Sequence, residues 1–227
     1  MEKTKVAIDF ISVGCTKKCI FTVMIETLLS FAFATSILAI SPGPDNIFVL
    51  TQSIVNGKMF GLATVFGLIS GCLVHTTLLA FGVSAIIKES ENLFFAIKLF
   101  GAFYLIYLAF KVYKSDASII LSEENVVQKT TLQLFKQGFI MNVLNPKVSI
   151  FFLAFFPGFL FSDSISTVLQ FYVLGLLFML VSLIIFSGIA ILAGVISAKI
   201  KENKNIGLYL KWTQIIVFVL IAVFILM

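Results

Sequence analysis

Two charged residues stand beside prolines inside long apolar stretches of the sequence. Asp45 follows Pro42 and Pro44 in the run Ser-Pro-Gly-Pro-Asp-Asn. Lys147 follows Pro146 in the run Asn-Val-Leu-Asn-Pro-Lys. A charge near the centre of a membrane span costs on the order of 3 kcal/mol if it faces lipid, so both should face the protein interior. We expect the carboxylate and the ammonium to pair there, where they could bind a polar solute or carry a proton.

The first proline run cannot continue a helix. Pro42 and Pro44 lack N–H groups, so the carbonyls of Leu38 and Ile40 lose their helical partners, and Gly43 lets the chain turn. Irregular backbone at membrane depth is tolerated only where protein or a watery cavity covers it. The run therefore predicts two half-helices that meet inside the protein.

The second run repeats this arrangement. Asn145 precedes Pro146 in the cap-then-proline order that starts a helix, and Pro146 frees the carbonyl of Asn142. We expect Asn142, Asn145 and Asn46 to contact a polar substrate, although each could instead cap a half-helix. The same alternative holds for Asp45, because the dipole of a helix N-terminus favours a carboxylate.

Two more polar side chains lie within apolar segments. His75 follows Gly67 and Gly71 at spacings of four, so the three share one helix face. His75 there either bonds a neighbouring helix or relays protons, and the glycines favour close helix packing, within the chain or in a homodimer. Lys98 lies about six residues, on the order of 9 Å, from the start of its segment, so it either reaches the interface or serves the site.

The composition makes a lipid bilayer the solvent of this chain. Of its 227 residues, 60% are hydrophobic and only 12% are charged. A structure that spans a bilayer must satisfy its own backbone hydrogen bonds, and the long apolar runs lack the alternation of barrel strands. We therefore predict an all-α integral membrane protein.

Six apolar segments are long enough to span a membrane. They cover roughly residues 25–54, 60–87, 92–113, 137–161, 167–197 and 206–227. The polar loop 114–136 separates a first half, 24–113, from a second half, 137–227. Because each half has three spans, the second is inverted relative to the first. The sequence predicts two inverted three-helix repeats, the first helix of each broken at proline, with a binding site where the broken helices cross.

The distribution of lysines predicts the orientation. The predicted loops on the side of the central loop contain nine lysines: 58, 111, 114, 129, 136, 199, 201, 204 and 211. The opposite side contains five, four of them in the tail 1–23. The central loop is therefore expected in the cytoplasm and both termini outside. Asp9 interrupts the only apolar run in the tail, which disfavours a signal peptide, and Met24 is a candidate translation start.

Several function classes fit the sequence poorly. Three cysteines without a C-x-x-C motif, and a single histidine, predict neither a metal site nor a disulfide framework, so no cofactor is expected. This disfavours an exporter of metal or other inorganic ions. A membrane-embedded redox enzyme would need paired cysteines, but Cys72 is alone in the spans. A structural subunit would not explain two matched breaks, and the lysines do not cluster for nucleic acid.

The quoted residues resemble the lysine exporter and homoserine/threonine efflux (LysE/RhtB) family of bacterial amino-acid exporters. The resemblance runs from about Met24 to the C-terminus. It is carried by the following stretches: Ser41-Pro-Gly-Pro-Asp-Asn46 with Gly61, Gly67, Gly71 and His75; Lys98-Leu-Phe-Gly-Ala-Phe-Tyr-Leu105; and Gly138-Phe139, Asn142, Asn145-Pro-Lys147 and Phe156-Pro157.

This resemblance implies a multi-pass protein of the bacterial cytoplasmic membrane that exports an amino acid or close derivative, with protons as the exchanged partner and no enzymatic activity. It implies Asp45 and Lys147 as the functional charges. The final span, Trp212 to Met227, lacks the glycines that the family would have there. The tail before Met24 has no counterpart in the family.

Overall fold

A computed structural model describes residues 2–41, 43–116, 129–202 and 205–226, with side chains described from Phe21 onward except at 88, 91, 201 and 202. The chain within these ranges is helical and contains no strand. The helices are α1 (Glu2–Ile40), α2 (Pro44–Val55), α3 (Lys58–Leu78), α4 (Ser84–Glu89), α5 (Glu91–Lys114), α6 (Thr131–Val143), α7 (Pro146–Ile150), α8 (Thr167–Ile191), α9 (Ala193–Glu202) and α10 (Ile206–Leu226). A π-helical turn, Leu79–Val83, joins α3 to α4, and α7 continues through the turns Phe151–Phe155 and Phe156–Phe159.

The predicted spans are present as helices. Five helical stretches are long and apolar enough to cross a membrane: Phe21–Ile40, Lys58–Ile87, Asn92–Lys114, Thr167–Ile191 and Ile206–Leu226. A sixth consists of Thr131–Val143 and Pro146–Phe159, which meet at an angle of 47°. The predicted all-α membrane fold is therefore confirmed, and both proline runs break their helices.

The boundaries of the fourth and fifth segments differ from the prediction. The fourth segment begins at Thr131, not at 137, because a capping box starts the helix: Thr130 Oγ1 accepts from Gln133 N, and Gln133 Oε1 accepts from Thr130 N. The fifth ends at Ile191, and α9 follows as a separate helix. Of the predicted central loop, residues 117–128 lie outside the described residues.

Helices α3 and α6 approach so closely that only glycine fits at their contact. A Cβ on Gly67 would lie 2.0 Å from the carbonyl oxygen of Phe135, and one on Gly138 would lie 2.4 Å from that of Thr64. A Cβ on Gly71 would similarly meet Asn142 at 2.7 Å. The glycine face of the second span thus packs within the chain, which leaves it unavailable for the homodimer contact considered from the sequence.

Phenylalanines fill the interior beyond the second break. Phe151, Phe152 and Phe156 are essentially fully buried. Phe152 and Phe156 stack with ring centroids 4.1 Å apart, and Phe159 stacks on Phe224 of α10 at 5.2 Å. This phenylalanine cluster joins the end of the fourth span to the first and last spans.

Candidate functional site

The first break leaves backbone carbonyls that side chains satisfy. Helix α1 ends at Ile40, Gly43 is extended, and α2 begins at Pro44, while Pro42 lies outside the described residues. Asn46 Nδ2 donates to the carbonyl of Ala39 at 2.8 Å. The amide that the sequence singled out beside Asp45 therefore caps the C-terminal end of α1.

The ammonium of Lys147 completes this capping from the other half of the chain. Its Nζ donates to the carbonyls of Leu38 and Ser41, each at 3.2 Å, and lies 5.6 Å from the ring centroid of Phe218. The carbonyl of Leu38 is the one that Pro42 was predicted to free. A lysine beside the second break thus donates hydrogen bonds to the free carbonyls at the first break.

The second break is capped by its own asparagine and by a histidine of the first half. Asn145 Oδ1 accepts from Lys147 N at 3.0 Å, directly before the Pro146 turn. The carbonyl of Asn142, freed by Pro146, accepts from Asn145 N at 3.0 Å and lies 3.1 Å from His75 Nε2. The breaks are therefore cross-capped, each by a titratable side chain of the opposite half.

Asp45 lies at the crossing of the two broken helices, with 8% of its surface exposed. Its Oδ2 accepts from Asn145 Nδ2 at 2.7 Å. No direct salt bridge joins Asp45 to Lys147 among the described residues, but the two charges line the same cavity and attract each other across it. The Asn145 amide takes the place of a salt bridge because its Oδ1 caps α7 and its Nδ2 then reaches Asp45, while the lysine goes to the freed carbonyls.

A small cavity of about 30 Å³ lies at this crossing, with room for about one water molecule. Asp45, Asn142, Asn145 and Lys147 line it together with Ser182 of α8. The hydroxyl of Ser182 is buried and has no hydrogen-bond partner among the described residues. The structure thus brings together most of the polar residues predicted from the sequence.

Comparisons with known proteins show which family this sequence belongs to. The family model for LysE type translocators matches residues 36–227, which include both breaks and every residue that lines the cavity. This chain belongs to the LysE type translocator family. The homoserine/homoserine lactone efflux protein of Salmonella typhimurium (strain LT2) is 30% identical over 180 residues, which cover 79% of this chain and 86% of the relative. The protein of the same description from Salmonella typhi is 31% identical over the same shares. No solved structure matches the chain.

The family resemblance inferred from the motifs is thereby confirmed. The protein is a multi-pass membrane translocator and not an enzyme. The relatives cover 79% of its length, so the comparison extends well beyond one motif.

A second, larger cavity of this translocator borders the first break. It has a volume of about 530 Å³ and lies between α2 and α10, near the end of α5. Gly43, Pro44 and Asn46 line both cavities. Isoleucines form much of its wall, and Asp116 and Lys211 lie at the end where α5 leads into the central loop. This vestibule, as we call the cavity of 530 Å³, adjoins the polar crossing on the central-loop side.

Lys98 is separate from this arrangement, since it lies on α5 and lines neither of the two cavities. Among the described residues no group of three or more His, Cys, Asp or Glu side chains could hold a metal ion. Cys72 is buried at the crossing, with Sγ 3.7 Å from Asn142 Oδ1. Neither Cys72 nor Ser182 was predicted from the sequence to belong to the site.

The sequence contained only a weak signal for Ser182, since it is one of two serines within the apolar helix α8, the other being Ser187. Such a serine usually bonds the carbonyl four residues earlier in its own helix. Ser53 does so, since its hydroxyl donates to the carbonyl of Val49 at 2.7 Å. Only the structure distinguishes Ser182, whose hydroxyl lacks a partner among the described residues, from serines of that kind.

Proposed function

We propose that this translocator exports an amino acid or close derivative across the cytoplasmic membrane, from a site at the crossing of its two broken helices. The observation that carries the proposal is the cavity at that crossing, which is lined by the buried carboxylate of Asp45, the ammonium of Lys147 and the unpartnered hydroxyl of Ser182. The printed names of the Salmonella relatives, which are homoserine/homoserine lactone efflux proteins, indicate the substrate class.

The groups at the crossing match the needs of a zwitterion. An ammonium group requires acceptors, which the freed carbonyls of α1 and Asp45 offer. A carboxylate requires donors, which the amides of Asn142 and Asn145 and the start of α7 offer. The cavity of about 30 Å³ is too small for an amino acid, so substrate binding requires the half-helices to separate.

The packing of the helices supports the proposal of two inverted repeats, 24–113 and 137–227. Exchange of the first span with the fourth, the second with the fifth and the third with the sixth preserves several of the contacts between helices. Helix α3 packs on α8, and α5 packs on α10, so each pair maps onto itself. The pair of α3 with α6 maps onto that of α8 with α1, which also pack together.

The two cavities suggest how substrate reaches the site. The vestibule adjoins the crossing on the side of the central loop, and the phenylalanine cluster covers the opposite side. With the central loop in the cytoplasm, as the lysine distribution favours, substrate enters through the vestibule and leaves when the phenylalanine cluster separates.

Proton antiport is the coupling that we propose, with Asp45 as the proton carrier. Asp45 is a buried carboxylate at the crossing, and a proton taken up there removes the negative charge that balances the cations of the loaded site. Homoserine efflux from proteoliposomes should then depend on the pH gradient with the membrane potential clamped. Unchanged efflux after collapse of that gradient would reject the coupling but leave the export proposal intact.

The export proposal is tested in cells that are loaded with homoserine-containing dipeptides. Cells that produce the protein should retain less internal homoserine than cells without it, and the variant Asp45→Asn should behave like cells without it. Asp163→Asn is the matched control, since it removes the same charge from an exposed position between the fourth and fifth spans. Equal retention with and without the protein, for homoserine and for every other amino acid tested, would remove the exporter assignment.

A further inference from the structure

We infer that the place now held by the Lys147 ammonium is the subsite for the substrate's primary α-ammonium, and that Lys147 occupies it only while substrate is absent. The inference rests on the proposed export function and names the group that is recognised. We call this place the ammonium cradle: the carbonyls of Leu38 and Ser41 and the ring of Phe218.

The cradle has the chemistry of a primary ammonium site. Two carbonyl oxygens accept from Nζ at 3.2 Å each, and the face of Phe218 lies 5.6 Å away. An aromatic face attracts a cation, and carbonyl oxygens need N–H donors. Gly43 lies beside the cradle, where a Cβ would be in ordinary van der Waals contact with Nζ at 3.7 Å.

The charges around the cradle are arranged so that Lys147 can leave it. A buried carboxylate and a buried ammonium that line one cavity normally pair, because an unpaired buried charge is costly. Here Asp45 accepts a hydrogen bond from the neutral amide of Asn145, and Lys147 donates to neutral carbonyls. When a substrate ammonium binds the two carbonyls, Lys147 can pair with Asp45, because Asp45 lines the same cavity.

The cradle also restricts the ligand. It requires a nitrogen that carries both a positive charge and N–H groups. Amino acids, their esters and lactones with a free amine satisfy this requirement. N-acylated derivatives do not, since acylation removes the charge, and quaternary ammonium ions lack donors. The translocator should therefore export homoserine lactone but not N-acetylhomoserine lactone.

Methylammonium binding to the purified protein tests the cradle without any amino acid. Lys147→Met vacates the cradle, so methylammonium chloride should raise the thermal unfolding midpoint of this variant, with a dissociation constant at least about tenfold lower than for the wild type, as expected for charge-assisted hydrogen bonds. Tetramethylammonium chloride at equal ionic strength should not. Equal effects of methylammonium on wild type and variant, or equal effects of both cations on the variant, would overturn the inference.

Lys211→Met is the matched control. Lys211 Nζ also donates to a carbonyl, that of Ser115 at 2.7 Å, and lies 5.7 Å from the ring of Tyr113, but at an exposed position. This variant should respond to methylammonium like the wild type, because water fills the vacated place. Stabilisation of Lys211→Met equal to that of Lys147→Met would overturn the inference, since the effect would then not be specific to the cradle.

A second variant covers the case in which Lys147→Met does not fold. Lys147→Gln keeps N–H donors for both carbonyls but is a weaker, neutral occupant, so methylammonium should stabilise it more than the wild type. Equal stabilisation would overturn the cradle.

Sodium acetate provides the opposing test: stabilisation of the wild type but not of the variants would show that Lys147 binds the substrate carboxylate instead. If methylammonium binds as expected but no amino acid is exported, the cradle stands and the proposed function falls.

Discussion

The two proline breaks use the same local chemistry but sit in different surroundings. At the first break, α2 leaves the vestibule of about 530 Å³ between itself and α10. At the second break, the corresponding stretch Phe151–Phe159 packs against α5 and α10. Phe155 lies 4.5 Å from Phe151 and 5.1 Å from Phe224, measured between ring centroids. The bundle is therefore open beside one break and closed beside the other, which is the asymmetry expected under the proposed alternating access.

The largest expected effect on efflux is that of Asp45, which lies at the start of α2 and accepts a hydrogen bond from Asn145 at the second break. Asp45→Asn should lower efflux on the order of 100-fold, because the buried negative charge that balances a cation at the crossing is lost. The variant should remain folded, since its amide oxygen can still accept from Asn145 Nδ2. Initial rates of homoserine efflux from proteoliposomes measure the effect, with Asp163→Asn expected to keep the wild-type rate. An Asp45→Asn protein that transports normally would show that this carboxylate only caps α2.

The second-largest expected effect is a difference in stability between substitutions beside the two breaks. Phe155→Ala removes a ring that is 3% exposed and should lower the free energy of unfolding by about 3–5 kcal/mol. Ile47→Ala, beside the vestibule at the first break, should cost less than about 1 kcal/mol because Ile47 is 40% exposed. Unfolding by sodium dodecyl sulfate in mixed micelles gives both values. Equal losses would contradict an asymmetric bundle.

The histidine cap of the second break should tolerate replacement by another hydrogen-bond donor but not by alanine. His75→Gln can still donate to the carbonyl of Asn142, so it should keep most of the transport and cost about 1 kcal/mol of stability or less. His75→Ala leaves that carbonyl without the side chain and should cost about 1–3 kcal/mol. A His75→Gln variant that folds but no longer couples efflux to the pH gradient would instead assign His75 to the proton path.

The vestibule is tested by adding a large ring to its wall. Leu50→Trp should slow homoserine efflux by about tenfold, because the ring obstructs the path of the substrate. The free energy of unfolding should fall by about 1–3 kcal/mol, because Leu50 is itself buried and a larger side chain must be accommodated there. An unchanged efflux rate would indicate that substrate does not pass through the vestibule.

Much of this fold could be predicted from local chemistry. Proline lacks an N–H group wherever it stands, so Pro44 and Pro146 identified both breaks, and Pro42 identified the freed carbonyl of Leu38. The long apolar segments identified the spans, because bilayer thickness sets their length. The start of α6 was missed, since the capping box at Thr130 lies in sequence that is too polar to appear as a span.

The pairing of side chains at the crossing could not be predicted. Opposite charges on Asp45 and Lys147 suggested an ion pair, but their partners depend on where Asn145 and the end of α1 lie in space. Ser182 is far from both breaks in the chain and reaches the cavity only because α8 packs beside them. Sequence proximity contains no information about such contacts.

Substrate protection of a cysteine at the crossing tests the central claim most directly. In a protein whose three native cysteines are replaced by serine, Ser182→Cys would be labelled with a small thiol reagent, with and without homoserine. Lys98→Cys, which lines neither cavity, is the reference position. If substrate binds at the crossing, homoserine should slow labelling at position 182 several-fold and leave position 98 unchanged. Equal protection at both positions, or none at 182 while homoserine is exported, would contradict a substrate site at the crossing of the broken helices.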